Sequence, residues 1–243
     1  MTEEVLKQRQ QQVTFDKKWI VFLRRTWLFR YIPFVEFALA AGSMATGAVR
    51  AESDFDVIVG ARYGRIFTAR LFAVLAFGLF GWRRTKLDHK EAAKDKVCLN
   101  HFVTEKSYKL SPPYNDYWKS LYMSLVPVYG TPAAVNYFWR ANYDWLGNPR
   151  TQRAELSSHD GKARLYQDDM RHKYRSPSAL KRLLESLLGG AVGNWLESWL
   201  RTIQIKRIER GLAAQAGYKP RIIYSDAELE FHPDTRRIEE LTK

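Results

Sequence analysis

Residues 41–60 read AGSMATGAVRAESDFDVIVG, and the run Asp54–Val59 within them constrains the chain most. Its β-branched end suits a sheet interior, so the run is predicted to be a strand. Side chains alternate between the faces of a strand, so Asp54 and Asp56 project together while Phe55 points the other way. Two neighbouring carboxylates repel and are costly to keep charged without a cation between them. A pair of Mg²⁺ ions is a natural answer, because hard cations take carboxylate oxygens and complete their shells with water and phosphate. Upstream, Gly42-Ser43 falls where an apolar strand predicted over Phe34–Ala41 gives way to a short helix over Met44–Arg50. Backbone N–H groups at such a turn face outward and cradle phosphate, and glycine lets the anion come close. An Asp-x-Asp pair alone is often solvated surface, and Gly-Ser alone is often a plain turn. Together, in this order and spacing, they are the parts needed for metal-assisted phosphoryl or nucleotidyl transfer.

The pattern Gly42-Ser43-x₁₀-Asp54-x-Asp56 resembles the signature of the nucleotidyltransferase superfamily with a DNA polymerase β-like palm. The fuller string, Gly-Ser-x-Ala-Thr-Gly followed by Ser-Asp-x-Asp, is similar to its small bacterial and archaeal members. The specific match covers about 20 residues, and compatible architecture extends over Phe34–Thr104. The resemblance implies a small mixed-sheet palm domain over residues 1–112; residues 113–243, which it does not cover, read from their own pattern as a mainly helical region, so the expected fold class is α+β. It also implies that an NTP is the substrate. A nucleoside monophosphate passes to an acceptor hydroxyl, on a nucleic acid, a protein or a small molecule, pyrophosphate leaves, and two Mg²⁺ ions assist. In that picture Gly42, Ser43 and Thr46 hold the triphosphate, and Asp54 and Asp56 bind both metals. Arg50, Arg62 and Arg65, which flank the motif, neutralise phosphate charge.

The resemblance departs from the superfamily at the next core strand, which usually carries a third carboxylate. Here that strand is predicted over Lys96–Thr104 and has no acid within Val97–Val103. By alternation Cys98 and Asn100 share one face, and Val97, Leu99 and His101 share the other. If the first face meets the metals, Asn100 is a neutral oxygen ligand with Cys98 beside it. If the second does, His101 is a base near neutral pH. Asp95 and Glu105 stand at the strand ends. The missing acid keeps a second expectation open, a weak or inactive nucleotide- or nucleic-acid-binding protein on the same fold.

Elsewhere the periodicity predicts a polar helix over Glu3–Gln12, a striped helix over Phe15–Tyr31 broken by Pro33, and a buried helix over Arg65–Phe80. Ser111-Pro112-Pro113 is the clearest boundary. Beyond it helices are predicted over Tyr114–Leu125, Ala133–Trp145 and Ser178–Gly211, with a strand only at Arg221–Tyr224. Thr151–Arg175 reads as loop or solvated helix.

The 39 Lys and Arg against 26 Asp and Glu give a net charge of +13, which favours polyanions: nucleotides, nucleic acid or anionic lipid. The excess lies in Arg62–Lys96 and Arg140–Arg182, where an RNA or DNA acceptor would be held through its phosphates. Aromatics such as Tyr137, Phe138, Trp139, Tyr143, Trp145 and Tyr174 are candidates for stacking its bases. Eight Trp among many basic residues also suit peripheral membrane contact. A spanning helix is not expected, because the one uncharged stretch of sufficient length, Ser120–Trp139, holds Pro127, Gly130 and Pro132. No secretory signal is visible, and the single cysteine, Cys98, allows no internal disulfide. A cytoplasmic setting is the expectation.

Overall fold

The computed structural model describes residues 3–85, 93–111, 114–147, 176–213 and 221–232. Among them the chain runs through α1 (Glu3–Arg25), a 3₁₀ segment (Thr26–Tyr31), β1 (Val35–Ala40), α2 (Gly42–Thr46), β2 (Phe55–Ala61), α3 (Ile66–Leu79) and β3 (Val97–Val103). It continues through α4 (Asp116–Ser124), β4 (Val126–Gly130), α5 (Pro132–Arg140), α6 (Tyr143–Leu146), α7 (Ala179–Leu187), α8 (Ala191–Ala213), β5 (Arg221–Tyr224) and β6 (Glu228–His232). The strands form one six-stranded mixed sheet in the order β4-β1-β2-β3-β6-β5. β2 and β3 are parallel and the remaining pairings antiparallel. A parallel neighbour requires a crossover, and α3 lies within it. The fold class is α+β, as expected.

Alternation along β2 divides the interior in two. Phe55, Val57, Val59 and Ala61 join a core with Trp19, Phe22, Phe29, Phe67, Phe77 and Leu200, from α1, the 3₁₀ segment, α3 and α8. Ile58, on the other face, packs with Phe37, Leu39, Val103, Tyr122 and Phe138 beneath α4 and α5. Both faces of the sheet are thus covered, and Asp56 belongs to the second.

Several elements differ from the expectation for physical reasons. The two N-terminal helices are one: no Pro or Gly separates them, and Thr14 Oγ1 donates back to the Gln10 carbonyl at 3.0 Å. β4 escapes a reading of periodicity because it contains Pro127, which an edge strand tolerates. β6 escapes it because Glu228 and Glu230 are buried. The helix predicted over Ser178–Gly211 breaks between Leu187 and Ala191. At Gly193 a Cβ would lie 1.7 Å from the Leu188 carbonyl oxygen, so the turn packs directly on the backbone of α8. The boundary at residues 112 and 113 divides neither the sheet nor the larger core. β4, β5 and β6 come from beyond it, and Val126, Val128, Leu200 and Leu229 pack in the same cluster as Phe22 and Phe55.

The start of α3 is held by α8. The Glu197 carboxylate accepts the Phe67 and Thr68 N–H groups at 2.9 and 2.8 Å and the Thr68 hydroxyl at 2.5 Å. A buried anion here satisfies donors that a helix leaves unpaired at its first turn.

Candidate active site

The head of β2 meets the turn after β1. The Ala41 N–H donates to the Asp56 carbonyl at 2.9 Å, which brings the end of β1 alongside Asp56. The chain then reverses into α2 through Gly42, at φ +57°, where a Cβ would lie 2.2 Å from Asp56 Oδ2. Only a residue without a Cβ can adopt this backbone with a carboxylate pressed against it. Ser43 follows, half-buried in the first turn of α2. On the other side the parallel register pairs Asp56 with Cys98. One donor atom each from Asp54, Asp56 and Cys98 all lie within 4.8 Å of one another.

This acidic cluster has a cation of its own. Arg84 Nη1 donates to Asp54 Oδ2 at 2.5 Å, and the Arg84 backbone N–H is fixed to the Val97 carbonyl at 2.9 Å. Burial works against the charged guanidinium, but the charges of Asp54, Cys98 and Asp56 and the Asp54 hydrogen bond outweigh it and raise its pKa. The Cys98 thiol is driven well above its ordinary value by burial, then by Asp56 and Asp54. Tyr117 of α4 is raised by burial and by the Asp56 charge, so this phenol forms part of the same surroundings. From α1, Lys18 Nζ donates to the Ser53 carbonyl at 2.7 Å and pairs with Asp95 Oδ1 at 2.7 Å. The Asp95 N–H donates to the Ser53 carbonyl at 3.2 Å, so α1 ties together the segments entering β2 and β3.

The donor set fits a divalent cation. Two carboxylates supply hard oxygen donors, and the bare Gly42 Cα keeps a side chain from crowding Asp56. The third neighbour is the Cys98 thiol.

The other candidate residues are spread more widely. Thr46 Oγ1 donates to the Gly42 carbonyl at 3.2 Å, inside α2. Arg50 is exposed in the loop before Asp54, its N–H donating to Ser53 Oγ at 2.9 Å. Arg62 and Arg65 stand past the opposite end of β2, about 20 Å from Asp56 at the rise of a strand. Arg62 reaches Glu185 Oε2 at 3.9 Å, and Arg65 is buried with its guanidinium on the Leu188 and Gly189 carbonyls, both at 3.1 Å, and on Asn194 Oδ1 at 2.6 Å. Both serve the packing of α7 and α8 rather than the carboxylate pair.

His101 lies on an unexpected face. From Asp56↔Cys98 to Ile58↔His101 the register advances two residues on β2 and three on β3. The extra residue is a bulge that returns His101 to the face of Cys98 and Asp56, with Asn100 half-buried at the irregularity. His101 Nε2 lies 3.0 Å from Glu228 Oε1, and His101, Glu228 and Glu230 form a second, buried group of potential ligands. Sequence reading missed Arg84, Tyr117, Glu228 and Glu230. The acid-x-acid spacing of Glu228 and Glu230 repeats that of Asp54 and Asp56 and was the available signal.

Of the aromatics considered for base stacking, Phe138 and Trp139 are buried, whereas Tyr137 and Tyr143 are exposed. Tyr174 and the basic stretch over residues 148–175 lie outside the described residues. Compared with protein families, curated proteins and solved structures, the chain finds no match.

Proposed function

We propose that the protein is a divalent-metal-dependent nucleotidyltransferase, moving a nucleoside monophosphate from an NTP to an acceptor hydroxyl. The observation that carries this reading is the Asp56 carboxylate seated against the bare Cα of Gly42, with Asp54 and Cys98 alongside. Asp54 and Asp56 are the residues that would hold Mg²⁺. When bound, such an ion neutralises polyphosphate charge and polarises a phosphoryl oxygen. Gly42 and Ser43 present the α2 turn to the triphosphate, and Arg84, paired with Asp54, is a guanidinium at hand for phosphate charge. In the transfer the acceptor oxygen bonds to the α-phosphorus, the bond to the bridging oxygen breaks, and pyrophosphate and the hydroxyl proton leave. The net charge of +13 favours an acceptor rich in phosphate, such as RNA or DNA.

One observation favours a second reading. Arg84 already pairs with Asp54, and β3 carries no acid, which suits a nucleotide binder without catalysis. An α-labelled NTP with Mg²⁺ or Mn²⁺ and candidate acceptors separates the two. The transferase reading expects label transfer and pyrophosphate release, both abolished by Asp54→Asn or Asp56→Asn in a folded protein. Equal transfer by wild type and both variants overturns it, and salt-sensitive NTP binding without pyrophosphate release supports the binder.

A further inference from the structure

Helix α7 is amphipathic in the reverse sense. Its inward face carries Lys181, whose Nζ donates to Tyr129 Oη at 2.9 Å and to the Val35 carbonyl, and Glu185, which accepts the Phe34 N–H at 2.7 Å. Its outward face carries Leu180, Leu183 and Leu187, which are 51, 56 and 63% exposed. A helix packed on a protein in water turns its leucines inward. α8 repeats the anomaly: Val192, Trp195, Trp199 and Ile203 recur at helical spacing and are 65, 68, 51 and 44% exposed, while Glu197 and Leu200 face the protein. Trp195 and Trp199 stack with ring planes 9° apart. The same stripe runs on into Lys206 and Arg210, both exposed.

Scattered exposed apolar residues are normal, but stripes on two successive helices mark a contact surface. We propose that the outward faces of α7 and α8 dock on an anionic lipid bilayer, lying in its interface. Indole rings partition to the headgroup level, and Lys206 and Arg210 meet lipid phosphates along the same line. The charge of +13 draws the chain to an anionic surface and makes pairing with a second copy unfavourable. No described helix is long and apolar enough to cross a membrane, so the contact is with one leaflet. This surface is independent of the nucleotide reading.

The test is flotation of the full chain with phosphatidylcholine vesicles holding about 30% phosphatidylserine, compared with pure phosphatidylcholine, at about 0.1 M salt. Binding to the anionic vesicles is expected, with tryptophan emission quenched by brominated lipid in the wild-type protein. Leu183→Glu with Trp199→Glu should abolish flotation while circular dichroism and melting stay as in wild type. Lys206→Ala with Arg210→Ala should weaken it by about thirtyfold. Absence of flotation, or equal flotation of the Glu variant, overturns the proposal. So does a dimer that the Glu variant dissolves in the absence of vesicle binding, which would make the face a contact between copies.

Discussion

Gly42 and Asp56 meet so closely that each limits the other. Gly42→Ala puts a methyl group into the Asp56 carboxylate at a backbone angle alanine resists, so Asp56 must move. A displacement of about 1 Å at a reacting group is enough to cost about a hundredfold, so transfer by Gly42→Ala should fall at least that far, measured at saturating NTP with circular dichroism to confirm the fold. Arg84 is the counterweight. Arg84→Ala removes the cation paired with Asp54, lowering metal-free stability by about 1 kcal/mol, modest because the pair is partly exposed. The same change should tighten Mn²⁺ binding and make melting more responsive to the metal, as calorimetry and thermal denaturation would read. At this scale the sequence was informative where geometry is local. Strand alternation and a Gly-Ser turn locate Gly42, Asp54 and Asp56. Arg84 reaches Asp54 only because its backbone is fastened to Val97, and no spacing rule announces that contact. His101 changed faces through a bulge, which alternation does not foresee.

The elements show the same division. β1, β2, α3 and β3 carry regular apolar patterns and were legible within a few residues. β4 hides behind Pro127 and β6 behind two inward-facing glutamates. α7 conceals its role differently, because its buried face is the charged one. Burial pushes the Lys181 ammonium down to about 8 from 10.5, although Glu185 and Glu36 pull the other way. Between those values the unfolded chain binds the proton and the native chain does not, so stability rises with pH across this window. Below pH 8 the group adds no pH dependence. Urea unfolding of wild type and Lys181→Met should therefore diverge between pH 8 and 10.5, wild type gaining up to about 3 kcal/mol relative to the variant. A constant difference across the window would show that the lysine keeps its ordinary affinity for protons.

At the level of the whole molecule, one sheet draws strands from both sides of the Pro112-Pro113 boundary. The fragment 1–112 keeps β1, β2 and β3 but loses β4 and β6, which flank them, together with Val128, Leu200 and Leu229 of the core. Exposed strand edges and a depleted core should leave this fragment unfolded or aggregating, as its amide proton spectrum would show. A proline pair reads as a domain junction because it stops local structure, but it says nothing about which strands pair across it. The active-site reading depends on that assembly, since the β1 turn, β2, β3 and α4 all border the same carboxylates. Its central claim is that Asp54 and Asp56 jointly hold a divalent ion. Electron paramagnetic resonance of free Mn²⁺, titrated with wild type, Asp54→Asn and Asp56→Asn, tests it without reference to any acceptor. Saturable loss of the free signal in wild type, weakened at least tenfold in each variant, is the predicted result; identical titrations for all three proteins would contradict it.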